Sequence, residues 1–342
     1  MDVAVIGLGL IGGSLLRALA SAGHQVLGYD ADPATRATAR TAAARAPVGE
    51  RWQIAGTVRD VVARAELVVI AVPLPAVAGV LDALADTGYT GLVTDVTSVK
   101  GPVRELVDRH LHGRYDGSGG QHTRLAGFVG GHPMAGRETS GFGAADPTLF
   151  TGCAWVLCLE PEVTSIGDWL ELAALFTGLG ARVVPAVAAE HDRAVAAVSH
   201  VPHLLAAATV AVTADDPLAG TLAAGSFRDG TRVAATRAEL IAAMCGGNAA
   251  ALGPALDAVL DALGQARVAL TEDDPIDALR GWLGPPSAAR RAWPPRPGAP
   301  VELPVRPDAL LRLGRTGGWV TGVAADRRTV TSVTPVPPDP AG

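Results

Sequence analysis

The chain opens on an apolar run, Val3–Ile6, breaks at a glycine-rich turn, and resumes with apolar positions at helical spacing from about Ile11 to Ser21. A second short apolar segment, Gln25–Tyr29, ends on Asp30. Strand, turn, helix and strand thus fill the first 30 residues. The alternation continues: "ELVVIAVP" (66–73) stops at Pro73, and "GLVTDVTSVKG" (91–101) is broken by Asp95. Continuous apolar runs of this kind suit strands of a parallel sheet covered on both faces. "RLAGFVGGHPMAG" predicts a further short strand with His132 just past its end. "CAWVLCLEP" and "ARVVPAV" predict two more, flanking a helix around 164–178, so one sheet domain is expected over residues 1–188.

From Glu190 the pattern changes to long Ala/Leu/Val helices. Helices apolar on several sides need cover on several sides. Packing against a second copy is the simplest solution, which predicts a homodimer through an all-helical domain over 189–270. Pro202 interrupts the first of these helices, because it has no N–H to donate. Between later helices, "GSFRDGTRVA" (225–234) reads as a polar loop. Residues 271–342 stand apart: "GPPSAARRAWPPRPGAPVELP" reads as a Pro/Arg-rich linker. After it, "LLRLGRTGGWVTGVAADRRTVTSVTPV" reads as a small β-meander turning at Gly317 and Asp326, with no role assigned.

Composition narrows the partners. The net charge is −6 and no basic run occurs, which argues against nucleic acid or an anionic membrane surface. No apolar stretch is read as reaching the roughly 20 residues of a spanning helix. Cys153, Cys158 and Cys245 fit no metal spacing, and the N-terminus enters its first strand with no basic leader. A cytoplasmic protein with reduced thiols is the expectation. Lys100 is the sole lysine among 28 basic residues. It is read as either shaping a site or opening a helix.

The first turn carries specific chemistry. Gly7, Gly9 and Gly12 make the G-x-G-x-x-G spacing inside a βαβ unit. The first glycine permits the turn, the second lets backbone approach a pyrophosphate, and the third lets helix pack on strand. Asp30, 18 residues past Gly12, stands where a carboxylate would bind a ribose 2′-hydroxyl. The fold class is therefore α/β: a Rossmann-type doubly wound, mainly parallel sheet followed by the helical dimerisation domain. The cofactor is NAD rather than NADP, since no arginine follows Asp30 directly. Its contacts are expected at Gly7, Leu8, Gly9, Leu10, Ile11, Gly12, Asp30, Val72, Pro73 and Ser98. Elsewhere, His200 and His203 lie three apart on one helix face in "SHVPH". No third ligand with suitable spacing accompanies them, so no metal is expected.

Five motifs in order resemble the prephenate/arogenate dehydrogenases of tyrosine biosynthesis: GLGLIGGS (7–14), DVTSVKG (95–101), GGHPMAG (130–136), SHVPH (199–203) and FRDGTR (227–232). The resemblance covers about residues 1–270 and implies oxidation of a ring hydroxyl by hydride transfer to NAD, with loss of the ring carboxylate as CO2. It implies that His132 takes the hydroxyl proton, a task suited to a neutral imidazole of pKa near 6.5. Ser98 is implied as its partner, a role compatible with capping the following helix. Arg232 is implied to bind a substrate carboxylate through its planar fork, and His203 to meet the far end of the substrate, supported by His200. Glu138 matches an acid that can pair with the arginine. Arg137, Ile241 and Thr97 depart from common family residues. The other histidines, His24, His110, His112, His122 and His191, are given no site role. Prephenate is the expected substrate, arogenate its rival, and a non-catalytic NAD-binding redox sensor the alternative of another class.

Overall fold

The computed structural model describes residues 1–112, 127–137 and 139–336. The first part builds a six-stranded parallel sheet from β1 (Asp2–Ile6), β2 (Gln25–Tyr29), β3 (Gln53–Ile54), β4 (Leu67–Ile70), β5 (Leu92–Asp95) and β6 (Gly127–Val129). Their order across the sheet is β3-β2-β1-β4-β5-β6. Helices α1 (Leu10–Ser21), α2 (Pro33–Arg45), α3 (Val58–Val62), α4 (Leu74–Thr87) and α5 (Gly101–Val107) cover it. Every residue of β4 is buried, as two-sided cover demands. The strand order reverses between β1 and β4, and ligands of such sheets bind in the crevice beyond the strand ends there.

A second sheet departs from the sequence expectation. Strand β7 (Gly131–Pro133) follows β6 after a single residue, Gly130, yet pairs antiparallel with β8 (Ala154–Cys158). His132 therefore lies just past the end of β6, as expected, but within a strand of a second sheet. Two glycines make the change of sheet possible. A Cβ at Gly131 would meet the Asp95 carbonyl oxygen at 2.7 Å, and one at Gly130 would press on Cys158 Sγ at 3.3 Å. Strands β8 and β9 (Arg182–Ala186) run parallel and are joined by α6 (Ile166–Gly178).

Residues beyond 296 complete this second sheet. Strands β10 (Val301–Pro304), β11 (Trp319–Val323) and β12 (Thr329–Val333) extend it to the order β10-β12-β11-β9-β8-β7. Leu310, Leu311 and Leu313, with Val320 and Val330, join Trp169, Phe176 and Val183 in one buried cluster. The meander expected from sequence thus includes a helix, α14 (Pro307–Arg315), and docks on α6 and β9.

The helical part contains α7 (Ala188–Val195), a π turn (Ala196–His200), α8 (Val201–Thr213), α9 (Pro217–Leu222), α10 (Gly225–Thr231), α11 (Ala238–Gly247), α12 (Ala249–Ala269) and α13 (Pro275–Arg291). Pro202 falls in the first turn of α8, directly after the π turn, so the regular helix is interrupted close to where the sequence places the break. Two stretches read as loops from sequence are helical. FRDGTR falls in α10 and the 3-10 turn Arg232–Ala235, and residues 284–291 of the supposed linker belong to α13. The segment Ala188–Thr213 is also long and apolar enough, by length and composition, to cross a membrane, which the sequence reading had not registered. Its charges gather at its N-terminal end, and its polar residues His191, Asp192 and His200 are buried within the protein.

Candidate active site

The glycine turn has the geometry a dinucleotide requires. Gly7 holds φ at +98°, a left-handed value that favours glycine, and a Cβ at Gly12 would fall 1.9 Å from the Gly7 carbonyl oxygen. A Cβ at Gly9 would project into open space, which leaves that space to a ligand. Gly9 caps α1 with no side-chain hydrogen bond, so the first-turn N–H groups are left for an anion. Asp30 ties the crevice together: its Oδ2 accepts the Leu8 N–H (2.7 Å) and its Oδ1 the Asp32 N–H (2.9 Å). Each oxygen keeps a lone pair for a ribose hydroxyl. Leu10 and Ile11 open α1, and Val72 and Pro73 follow β4 on the other wall.

One arginine was missed. Arg36 reaches back from α2, donating to the carbonyls of Asp30 (2.6 Å) and Ala31 (3.1 Å), with its guanidinium over the Tyr29 ring. Its sequence position, six residues after Asp30, gave no sign of this return.

Beyond the crevice stands a histidine relay. His132 Nδ1 lies 2.8 Å from His191 Nε2, and His191 Nδ1 lies 2.8 Å from Asp192 Oδ1. All three are buried. Burial alone would raise the Asp192 carboxyl. Hydrogen bonds from His191 and from the Lys100 and Gly101 N–H groups outweigh it and hold the acid below its usual range. An ionised carboxylate only accepts, so His191 Nδ1 carries the proton it donates. His191 Nε2 must then accept, and His132 Nδ1–H donates to it. That chain leaves Nε2 as the unprotonated nitrogen of His132, the form of a proton acceptor. Burial, with the charges of His191, Lys100 and His200 adding to it, depresses the His132 pKa well below the ordinary value near 6.5 expected from sequence.

A buried ion pair anchors this strand. Lys100 Nζ donates to Asp95 Oδ2 and to the Gly131 carbonyl, and lies 3.2 Å from Thr97 Oγ1. The Gly131 N–H donates to Asp95 Oδ1 (3.1 Å). Lys100 thus shapes the site: it holds the Gly131 carbonyl while its partner Asp95 holds the Gly131 N–H, next to His132. The departure at Thr97 has a structural role, since its hydroxyl joins the pair. Lys100 also occupies the N-cap position of α5, without a side-chain cap, so Ser98 does not cap that helix. Ser98 lies half-buried in the turn between β5 and α5.

The second pair of histidines faces the same region. His200 is fully buried, and burial, then the nearby His191, drives its pKa down to about 4. Burial lowers the His203 pKa, against a hydrogen bond to the Val233 backbone and with the Arg232 guanidinium adding to it, and α8 packs on the turn Arg232–Ala235 that carries this arginine. His203 Nδ1 is buried and has no hydrogen-bond partner among the described residues. Arg137 pairs with Asp146 on the surface, and the Thr148 hydrogen bonds, with that contact adding to them, keep the Asp146 carboxyl at about 2. Glu138 lies outside the described residues, as does His122. Sequence reasoning missed His191, Asp192 and Asn248. Asn248 Nδ2 donates to the Asp192 carbonyl (2.8 Å) and lies 3.1 Å from His200 Nδ1. A histidine followed by an acid inside the helix that carries SHVPH was the available signal for the first two.

A glycine-turn crevice beside a buried neutral imidazole defines a dinucleotide-dependent oxidoreductase fold. Residues 15–185 match the family model described as prephenate dehydrogenase, nucleotide-binding domain, and 187–284 the model described as prephenate dehydrogenase, dimerization domain. The chain belongs to the prephenate dehydrogenase family. A prephenate dehydrogenase of Lactococcus lactis is 33% identical over 241 residues, 68% of this chain and 60% of that protein. The chain thus spans about three fifths of that curated relative. A Corynebacterium glutamicum structure provisionally assigned as a prephenate dehydrogenase is 35% identical with TM-score 0.74, covering 86% of this chain and 90% of its own. The arogenate dehydrogenase of Synechocystis is 28% identical with TM-score 0.67, covering 86% of this chain and 100% of its own.

Proposed function

We propose that the chain catalyses the NAD-dependent oxidative decarboxylation of prephenate to 4-hydroxyphenylpyruvate, as a cytoplasmic homodimer. The observation that carries this reading is the Asp192–His191–His132 relay beside the glycine-turn crevice. NAD, bound along Gly7–Gly12 with its ribose on Asp30, supplies the hydride acceptor. His132 Nε2 takes the proton of the ring hydroxyl while the hydrogen on the same carbon leaves as hydride. His191 and Asp192 hold the imidazole in the required tautomer and stabilise the charge it gains. The ring carboxylate departs as CO2, and its bonding electrons complete the aromatic ring. Arg232 pairs with a substrate carboxylate, and the unpartnered His203 Nδ1 meets the side-chain end of the substrate, with His200 behind it. Ser98 contacts the reacting hydroxyl or the imidazole.

Dimerisation is supported by exposed apolar residues along the helical part, including Val212, Leu260, Leu263 and Ile276. Arogenate is the second reading, favoured by the likeness to the Synechocystis enzyme. The test follows NADH formation with prephenate and arogenate in separate assays. Turnover of prephenate is expected. NAD binding without turnover of either would replace the enzyme by a redox sensor, and a strong arogenate preference would replace the substrate.

A further inference from the structure

Asn248 joins α11 to α12 and is buried, though nothing about its chemistry is apolar. A buried amide needs partners, and the two it finds both belong to the helix that carries the relay. Its Nδ2 donates to the Asp192 carbonyl oxygen at 2.8 Å. A carbonyl oxygen can only accept, so this contact fixes which end of the amide is nitrogen. The second hydrogen of the same nitrogen faces His200 Nδ1 at 3.1 Å. His200 Nδ1 must therefore accept, and the imidazole proton resides on Nε2.

The π turn makes this double contact possible. Eight residues separate Asp192 from His200, which on a regular α-helix puts them about 80° apart around the axis. The extra residue absorbed by the π turn Ala196–His200 removes about 100°, so His200 returns to the side of Asp192. One amide from a neighbouring helix then spans both. Asn248 is thus anchored to the backbone of the residue whose carboxylate orients His191, and to the ring of His200.

We propose that Asn248 is a positioning residue that holds His200 in its Nε2–H tautomer, so that His200 presents a hydrogen-bond donor to an oxygen of the substrate. The proposal rests on the function proposed above for its consequence, but not for the tautomer itself. A neutral Nε2–H suits a carboxylate or keto oxygen and cannot accept from an ammonium group.

The test begins with 15N spectra of the full-length unmutated protein labelled at histidine, with His200 assigned by loss of its signals in His200→Gln. Expected are a lone-pair nitrogen at Nδ1 and a protonated one at Nε2. A protonated Nδ1 overturns the proposal whether or not prephenate is a substrate, and whether or not any Asn248 variant folds. The second arm is Asn248→Asp, which keeps the shape but can only accept, and so should move the His200 proton to Nδ1. KM for the substrate should rise about 10-fold, the size of one lost hydrogen bond, with kcat and NAD affinity changed far less, and Asn248→Gln should recover part of the loss. An Asn248→Asp protein that keeps the wild-type tautomer and KM overturns the proposal. Absence of turnover in the wild type, with the expected tautomer present, would overturn the function and leave the Asn248 contact standing.

Discussion

His132 Nδ1 and His191 Nε2 lie 2.8 Å apart, with the rings edge-on at 74°, and 59 residues separate the pair in sequence. Neither ring can choose its tautomer alone. The choice is made at Asp192, the member of this three-residue relay that cannot donate. Replacing Asp192 by Asn supplies a group that can donate, which frees both rings to invert. The rate should fall about 10²-fold with NAD affinity unchanged, and His132→Asn should lose about 10²–10⁴. Steady-state kinetics beside NAD titration checks both, and full activity in either variant removes the relay from the chemistry.

Three buried histidines and a half-buried one make the protein sensitive to mild acid. His132, His191, His200 and His203 all have pKa values depressed by burial. Each is therefore neutral in the fold at pH values where the unfolded chain already binds protons. Unfolding then takes up protons, so stability is full above about pH 6.5 and falls as pH drops below it. The midpoint of thermal unfolding should decline steadily between about pH 7 and pH 5, before ordinary carboxylates titrate. A flat profile over that interval would count against the buried neutral cluster.

Removal of Lys100 should cost more than a surface charge would. Its ammonium and Asp95 are both buried, and Lys100→Met leaves the Asp95 carboxylate without its cation. Such a loss costs about 3–5 kcal/mol, to be read from urea unfolding. The double variant Lys100→Met with Asp95→Leu should recover part of it, because no unpaired charge remains. Equal stability of the single variant and the wild type would show that the pair is not buried in solution.

Cofactor choice turns on Asp30 and Arg36. The carboxylate repels a 2′-phosphate, while Arg36 is held on neighbouring carbonyls within reach of the same place. Asp30→Ser removes the repulsion and leaves the cation. The ratio of kcat/KM with NADP to that with NAD should rise about 10- to 100-fold, the range of one charge-assisted hydrogen bond. An unchanged ratio would remove Asp30 from discrimination.

Local features were legible from the chain alone. The glycine turn, Asp30 and the strand β2 depend on backbone conformation and on contacts within some thirty residues, and Gln25–Tyr29 is found where the pattern placed it. The five motifs also named His132, His200, His203 and Arg232, through the resemblance that those motifs carry. Helix in place of loop at 225–234, and helix in place of linker at 284–291, escaped notice because glycine and proline weigh heavily in local reasoning. Both prolines inside α13 follow its well-capped start at Asp274.

By itself, then, the sequence determined a parallel nucleotide-type sheet, a helical half and, in His132, the histidine proposed as proton acceptor. Only the tertiary structure decided that this histidine lies within a second sheet, that residues 301–333 complete that sheet, that His191 and Asp192 line up behind it, and that Asn248 meets Asp192 and His200. The physical reason is distance along the chain. Val320 pairs with Val183, and Asn248 meets Asp192, through contacts whose partners carry no mark of one another in local periodicity. A polar residue in an apolar helix looks like an exception until the fold supplies its partner.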